Sequence, residues 1–304
     1  MKNLLLFLSL FFTSASAFAE SACEQALQEG DAAKAITAAK KDIQASKAPA
    51  GDSLKDELDM LAPWFCLAEA QESLEQHDEA LATLQSATDL ASLPEARMLA
   101  FAFQGQVLLS AGKAAEAVAL LRQSLNIATA AAEKSSPTFE RGNRTLLGIA
   151  LQQNGDHAAA LEQFQLGLKL AANDNERAES YGRIADAQSR LGRHEEAIAQ
   201  QLKAVMMEEK AGSFGDYAAA LLELGRICLD GKQYADAEKW LNKLLKQLEG
   251  TGDSMIQSRA HAFLSQVKAA QGDNAAAEEH KRLADEMESR ISRETRVRQE
   301  KSAQ

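Results

Sequence analysis

Residues 181–204 read YGRIADAQSRLGRHEEAIAQQLKA and contain one complete copy of a pattern that recurs along the chain. Within this copy the small residue Ala185 precedes Ala197 by twelve positions, and Gly192 stands five positions before Ala197. The second alanine of the pattern, called here the anchor alanine, occurs at Ala35, Ala80, Ala117, Ala160, Ala197, Ala237 and Ala277. The intervals between anchors are 37 to 45 residues, and a period in that range is typical of stacked helical hairpins.

A small residue accompanies every anchor alanine, twelve positions earlier. These residues are Cys23, Ala68, Gly105, Gly148, Ala185, Gly225 and Ser265. Five positions before the anchor the chain carries Gly30, Gly112, Gly155, Gly192 and Gly272. Glycine ends a helix well there, because it adopts the left-handed backbone conformation without a steric penalty. Glu75 replaces it in the second repeat, and in the sixth we expect the turn glycine to be shifted by one position, to Gly231. Each repeat is therefore predicted to be an antiparallel helix pair.

The composition favours helices throughout. The 304 residues are 46% hydrophobic and include only four prolines, and strong helix formers such as Ala, Leu, Glu, Gln and Lys dominate the segments between turns. Apolar residues follow a helical period, as at Leu241, Leu244, Leu245 and Leu248, and we find no alternating strand pattern. The sequence thus predicts an all-α fold that buries its core between neighbouring repeats.

The remaining positions of the pattern resemble the tetratricopeptide repeat. The residue before the small position is aliphatic at Leu67, Leu147, Ile184, Leu224 and Leu264, with Gln104 as the exception. The aromatic residue of the family's first helix is matched by Trp64, Phe101 and Tyr181, whereas Arg144, Leu221 and His261 depart from it. The bulky residue four positions after the anchor is matched by Leu84, Leu121, Phe164 and Leu241, whereas Gln201 and Lys281 depart. The resemblance implies a right-handed α-solenoid of about seven antiparallel helix-turn-helix repeats, each of roughly forty residues.

The N-terminus has the pattern of a bacterial export signal. Lys2 supplies a positive charge, residues 4–12 form a short apolar stretch interrupted only by Ser9, and Ala17-Phe18-Ala19 fits the small-residue cleavage pattern. We expect cleavage after Ala19, which divides the chain into a signal peptide (1–19), a helical repeat domain (20–290) and a charged tail (291–304). The mature chain is then expected in the periplasm, without an integral membrane segment. The alternative, lipid attachment at Cys23, would need an apolar sequence before that cysteine, and Glu20-Ser21-Ala22 precedes it.

Export allows the cysteines to be oxidised. Cys23 and Cys66 lie in the first helices of neighbouring repeats, which a solenoid stacks side by side, and we expect a Cys23–Cys66 disulfide. The alternative is that the cysteines are small apolar residues buried in helix packing. For Cys228, which stands between Ile227 and Leu229, this alternative is favoured.

The formal net charge of −11 argues against nucleic acid as a partner, because binding to the phosphate backbone needs clustered Lys and Arg. Basic residues do recur in the tail, where they alternate with glutamates. We interpret the tail as a solvated extension of the last helix. A capping helix, which would supply the polar outer face that a terminal repeat needs, and a docking arm for an acidic partner remain alternatives.

Motifs for catalysis and metal binding are missing. The five histidines lie apart, without metal-ligand spacing, and the sequence contains neither a P-loop nor a G-x-G-x-x-G or G-x-S-x-G motif. We therefore expect no catalytic residues, no metal site and no cofactor.

In tetratricopeptide arrays the first helices line a concave groove, so the resemblance assigns partner-binding residues by their distance from the small position. Carried over one repeat at a time, these are Phe65, Glu69, Gln106, Leu109, Ile149, Gln152, Asp186, Leu222, Arg226, Arg259 and Gln266. The lysines and asparagines with which some members of the family bind a C-terminal carboxylate are missing there. Such a mixed lining favours an extended peptide or a partner helix, bound by amide hydrogen bonds and apolar contacts.

We therefore expect a periplasmic scaffold, monomeric or weakly self-associating, that binds a protein or peptide and assists the assembly or regulation of a cell-envelope complex. Two alternatives remain open: an enzyme or accessory acting on envelope glycan or peptide, and a purely structural, self-associating array.

Overall fold

The structure is a computed structural model that describes residues 21–45, 53–130, 136–250 and 253–302. Within these ranges the chain forms fourteen helices and no strand, so the predicted all-α helical-repeat fold is confirmed. The predicted signal peptide, residues 1–19, lies outside the described residues. No helix formed by the described residues combines the length and apolar character that crossing a lipid bilayer requires.

The helices pair into seven hairpins in chain order. The first helices are α1 (Ala22–Gln28), α3 (Leu54–Ser73), α5 (Pro94–Ser110), α7 (Pro137–Gln153), α9 (Asp174–Arg190), α11 (Phe214–Asp230) and α13 (Ser254–Ala270). The second helices are α2 (Ala32–Ala45), α4 (His77–Leu90), α6 (Ala114–Ala130), α8 (His157–Lys169), α10 (His194–Ala211), α12 (Tyr234–Gln247) and α14 (Asn274–Ser302). Each anchor alanine lies in the first turn of a second helix.

Side-chain caps and prolines set the helix starts. The Ser213 hydroxyl accepts a hydrogen bond from the backbone N–H of Asp216, and the Asn173 side chain accepts one from Glu176. Such caps satisfy an N–H group that has no partner within the helix. Both α5 and α7 begin instead with a proline, whose missing N–H costs nothing at that position.

Every hairpin turn has the same backbone hydrogen bonds. The residue five positions before the anchor has a positive φ of 59° to 87°, and the N–H of the next residue donates to the carbonyl five residues before it, as from Arg193 to Gln188 at 2.9 Å. This is the Schellman motif. In the sixth hairpin the residue with positive φ is Lys232, at 59°, whereas Gly231 has a φ of −78°. The expected shift of the turn glycine to Gly231 is therefore wrong. Glycine is needed there for packing, because a Cβ on Gly231 would lie 2.8 Å from the Cβ of His194.

The anchor alanine and the small residue recur because the two helices of each hairpin pack closely at these two positions. Six of the seven anchor alanines are fully buried, and Ala277, in the last hairpin, is 8% exposed. The small residue faces the bulky residue that follows the anchor by four positions. A Cβ on Gly105 would lie 2.5 Å from Cγ of Leu121, and one on Gly225 would lie 2.5 Å from Cδ2 of Leu241. The small position is thus the space into which the bulky side chain of the second helix inserts.

The contacts divide the chain into an N-terminal unit, up to Leu170, and a C-terminal unit, from Ala171. The N-terminal unit contains hairpins one to four, and the C-terminal unit contains hairpins five to seven. One apolar cluster of the N-terminal unit includes Leu61, Phe65 and Leu84, and the large cluster of the C-terminal unit includes Leu221, Leu241 and Leu264. The predicted repeat domain therefore consists of two compact groups of hairpins.

The two ends of the described chain differ. At the first hairpin a disulfide joins Cys23 of α1 to Cys66 of α3, with the two Cα atoms 6.4 Å apart. At the last hairpin α14 continues to Ser302, so the predicted boundary between residues 290 and 291 falls inside this helix. Most side chains from Arg282 to Val297 are exposed, and they give the last helix a charged outer surface.

Candidate functional site

The first-helix residues of the N-terminal unit are mostly buried. Phe65, Gln106, Leu109 and Ile149 are each at most 9% exposed. The ring of Phe65 in α3 lies 4.7 Å from that of Phe103 in α5, measured between centroids, so it packs between two first helices. Only Glu69 and Gln152 of the predicted set are half-buried in this unit. A role for these residues in partner binding stays a prediction, and the buried ones can serve only as the floor of a groove.

Glu69 is the carboxylate of this face whose protonation is most affected by the structure. Burial raises its pKa to about 7, and the nearby Glu24 carboxylate acts in the same direction. A carboxyl group in this state is half protonated at neutral pH, so it can donate or accept a hydrogen bond.

A chain of hydrogen bonds crosses α7, α6 and α5. The Ser124 hydroxyl donates to the backbone carbonyl of Met98 at 2.7 Å, and the Asn143 amide nitrogen donates to the Ser124 oxygen at 2.8 Å. Because Ser124 has a single proton, which it gives to Met98, the Asn143 group that faces it must be the donor. The Asn143 oxygen therefore points away, is buried and has no hydrogen-bond partner.

A small cavity of about 10 Å³ adjoins Asn143. It is lined by Ala102, Phe103, Gln106, Phe139, Gly142, Asn143 and Leu146. Gln106 is a predicted groove residue, whereas Asn143 and Phe139 were not identified from the sequence. Asn143 lies five positions before the small residue Gly148, on the side of α7 that contacts α5 and α6.

The centre of the first-helix face in the C-terminal unit is an ion-pair network. The Arg226 guanidinium contacts the carboxylates of Asp186 at 2.8 Å, Asp230 at 2.6 Å, and Glu223. Asp186 also pairs with Arg190 at 3.1 Å. Arg226 thus links α9 to α11, and three carboxylates already neutralise its charge.

The exposed predicted residues of this unit lie on α13. Arg259 and Gln266 are exposed, and Ala262 and Phe263 between them are half-buried. Their spacing of three to four residues places them on one side of the helix. Leu222 of the predicted set is buried, at 3% exposure.

The comparisons with known proteins agree with this arrangement. The sequence profile of the tetratricopeptide repeat matches residues 178–210. This segment includes the small residue, the turn and the anchor of the fifth hairpin. The fifth hairpin thus matches the tetratricopeptide-repeat family.

Similar tetratricopeptide-repeat and related proteins are found by sequence and by structure. Photosystem I assembly protein Ycf3 from Synechococcus sp. (strain CC9605) is 30% identical over 97 residues, which are 32% of this chain and 56% of the relative. The match thus spans little more than half of that relative's length.

Two solved structures share the fold. The STAND protein with a tetratricopeptide-repeat sensor from Pyrococcus horikoshii has a TM-score of 0.70 at 19% identity, covering 90% of this chain and 42% of that chain. The Rap conjugation gene regulator of plasmid pLS20, solved with a Phr peptide, has a TM-score of 0.53 at 18% identity, covering 90% of this chain and 73% of that chain.

Two polar departures from the tetratricopeptide pattern are buried and hydrogen-bonded. Gln201 stands at the bulky position of the fifth hairpin, is 2% exposed, and donates to the carbonyl of Ala220 at 2.9 Å. Gln104 is 4% exposed and donates to the Thr88 hydroxyl at 3.2 Å. Both therefore serve packing within their units, since a buried amide needs a partner.

The site offers groups for recognition. Among the residues of the described ranges, no group of three or more His, Cys, Asp or Glu side chains could hold a metal ion.

The buried Glu57 carboxylate accepts hydrogen bonds from the backbone N–H groups of Ser92 and Leu93. It thereby fixes the connection from α4 to α5. Tetratricopeptide-repeat arrays are interaction scaffolds, and the arrangement of exposed amide, guanidinium and apolar groups on α13 fits that class.

Proposed function

We propose that this protein is exported to the periplasm and acts there as a scaffold that binds a protein or peptide and assists the assembly or regulation of a cell-envelope complex. The repeat fold supports the binding role, because stacked hairpins present extended surfaces built from equivalent helices. The cyanobacterial relative is named as an assembly protein, and the Rap regulator was solved with a bound peptide. Both support a protein or peptide as the partner.

The exposed strip on α13 is the observation that carries the proposal. Arg259 and Gln266 provide hydrogen-bond donors on either side of the half-buried Ala262 and Phe263. Donors that flank a small apolar surface suit the backbone carbonyls and one apolar side chain of an extended segment. The network around Arg226, by contrast, is already internally neutralised.

Site-specific photocrosslinking in whole cells tests the strip. A photoreactive residue at position 259 or 266 is expected to give one dominant crosslinked species, and the same residue at position 278 or 281, on the outer face of α14, is expected to give none. The variant Arg259→Ala/Gln266→Ala should lose the partner, while the control Glu278→Ala/Lys281→Ala, in the same hairpin, should retain it. Equal crosslinking from both helices, or full retention by the first variant, would refute the assignment.

Export is tested separately. The protein from a periplasmic fraction is expected to have the mass of a chain that begins at Glu20, and a Ala19→Pro variant should accumulate as the longer precursor. A full-length chain that stays in the cytoplasmic fraction would contradict the periplasmic location without affecting the binding role.

A further inference from the structure

Two histidines contact each other across the last hairpin. His261 of α13 and His280 of α14 have their Nδ1 atoms 3.0 Å apart, and their ring centroids are 5.2 Å apart. Because the nitrogens are much closer than the ring centres, the two Nδ1 atoms point toward each other. One ring must then donate its Nδ1–H and the other must accept with a bare Nδ1.

The pair lies in the middle of a row of contacts that joins the two helices. The Ser265 hydroxyl donates to the carbonyl of Ala277 at 2.8 Å on one side, and the Ser258 hydroxyl donates to that of Ala284 at 3.2 Å on the other. His261 also occupies the position at which the repeat pattern has an aromatic residue. The histidine pair therefore replaces an aromatic contact between the two helices by one that depends on protonation.

Protons can enter this pair in two distinguishable steps. The first proton can be taken up by the donor ring at its outward-facing Nε2, and the Nδ1–H to Nδ1 hydrogen bond then persists as a charge-assisted one. The second proton must bind the accepting Nδ1, which faces the N–H of its partner. The hydrogen bond is then lost, and two positive rings stand at contact distance.

The surrounding groups determine the pH at which each proton binds. Burial lowers the pKa of both histidines, with the His280 ring adding to this effect on His261 and the Lys268 ammonium adding to it on His280. The Glu279 carboxylate acts in the opposite direction on both rings, and the Glu238 carboxylate of α12 does so on His280. Lys268 and Glu238 pair with each other at 2.5 Å, so their effects on the histidines partly cancel.

We propose that the His261–His280 pair is a proton-sensitive latch that holds α14 on α13 at neutral pH and releases it when the second proton binds. Release uncovers the side of α13 that carries Ser258 and Ser265, whose hydroxyls donate hydrogen bonds to backbone carbonyls of α14 with the latch closed. The end of the C-terminal unit thus opens in acid. This device is independent of the partner-binding role.

Hydrogen exchange of the full-length mature chain tests the latch. After correction for the intrinsic rates, backbone amides of α14 between residues 277 and 287 are expected to open about tenfold more often at pH 5 than at pH 7, since the open hairpin binds the second proton without losing a hydrogen bond. The variant His261→Phe restores the aromatic residue of the repeat and should remove this pH dependence. The control His157→Asn, in the N-terminal unit, should keep it.

Side-chain NMR of the two rings gives the second readout. One Nδ1 of the wild-type pair is expected to stay unprotonated until α14 opens, and His280→Asn should abolish the response if His261→Phe does not fold. An equal increase of exchange in both latch variants would overturn the proposal. So would an α14 that stays protected in the wild type at pH 5, or a pair that carries two protons while α14 remains closed.

Discussion

Replacement of Gly225 by alanine tests the packing rule that generates the repeat. A Cβ at this position would lie 2.5 Å from Cδ2 and 2.6 Å from Cγ of Leu241, which is fully buried. The Cγ atom is the branch point of the leucine, so a rotation of its methyl groups does not relieve the contact. Overpacking of this kind costs about 1–3 kcal/mol, and the tight, two-atom contact favours the upper end.

A second effect has the opposite sign. Alanine is favoured over glycine inside a helix by about 1 kcal/mol. The net destabilisation expected for Gly225→Ala is therefore about 2 kcal/mol. Gly182→Ala is the matched control, because Gly182 is also in a helix interior of the C-terminal unit and the nearest atom to its Cβ is Oε1 of Gln201 at 3.8 Å. At Gly182 only the preference of helices for alanine over glycine applies, which should raise the unfolding free energy by about 1 kcal/mol.

Urea unfolding followed by far-ultraviolet circular dichroism measures both changes. The unfolding free energies of the two glycine-to-alanine variants should differ by about 3 kcal/mol. Gly182→Ala should be more stable than the wild type, and Gly225→Ala should be less stable. The substitution Leu241→Ala should cost less in the Gly225→Ala background than in the wild type, because it removes both contacting atoms, Cγ and Cδ2. A Gly225→Ala variant as stable as the wild type, or additive effects of the two substitutions, would refute the packing rule.

Three further predictions concern single residues. Lys232→Gly should raise the unfolding free energy by about 1 kcal/mol because φ is 59° there, whereas Gly231→Ala should lower it because of the contact with His194; urea unfolding checks both. For Glu69, the pKa of about 7 lies above its ordinary 4.5, so the unfolding free energy should fall by about 2 kcal/mol between these pH values as pH rises, and Glu69→Gln should abolish the fall in a pH series. Burial raises the pKa of Cys228 to about 12, so its thiol should react with a maleimide only at the rate of unfolding, and fast labelling of the native protein would contradict its burial.

The repeat frame could be predicted from the sequence because each of its positions has one packing requirement. The small residue stands twelve positions before the anchor alanine, and a bulky residue stands four positions after it. This combination leaves few alternatives to a helical hairpin. The turn in the sixth hairpin was mispredicted, because glycine meets two different needs. At Gly231 it allows the approach of His194, whereas the left-handed conformation falls on Lys232, which adopts it without being glycine.

The exposure of the first-helix residues could not be derived from the repeat frame. Arg226 and Gln266 have equivalent positions, one after the small residue, yet Arg226 is enclosed by three carboxylates and Gln266 is exposed. The difference comes from the preceding hairpin. There Asp186 of α9 pairs with Arg226, whereas the equivalent residue before Gln266 is Arg226 itself, which already has its carboxylate partners. The side chains available to a partner therefore depend on pairs between repeats, which a position within one repeat does not specify.

Departures from the aromatic position are compensated on the second helix, nineteen residues later. Arg144 donates to the Gln163 side chain at 3.0 Å, and His261 contacts His280 at the same separation in sequence. At Leu221 the residue nineteen positions on is Trp240, and both belong to the large apolar cluster of the C-terminal unit. The two positions thus lie in one space between the helices of a hairpin, and a different pair of side chains fills that space in each of these hairpins. Because only the last hairpin fills it with two histidines, acid should loosen that hairpin before the others.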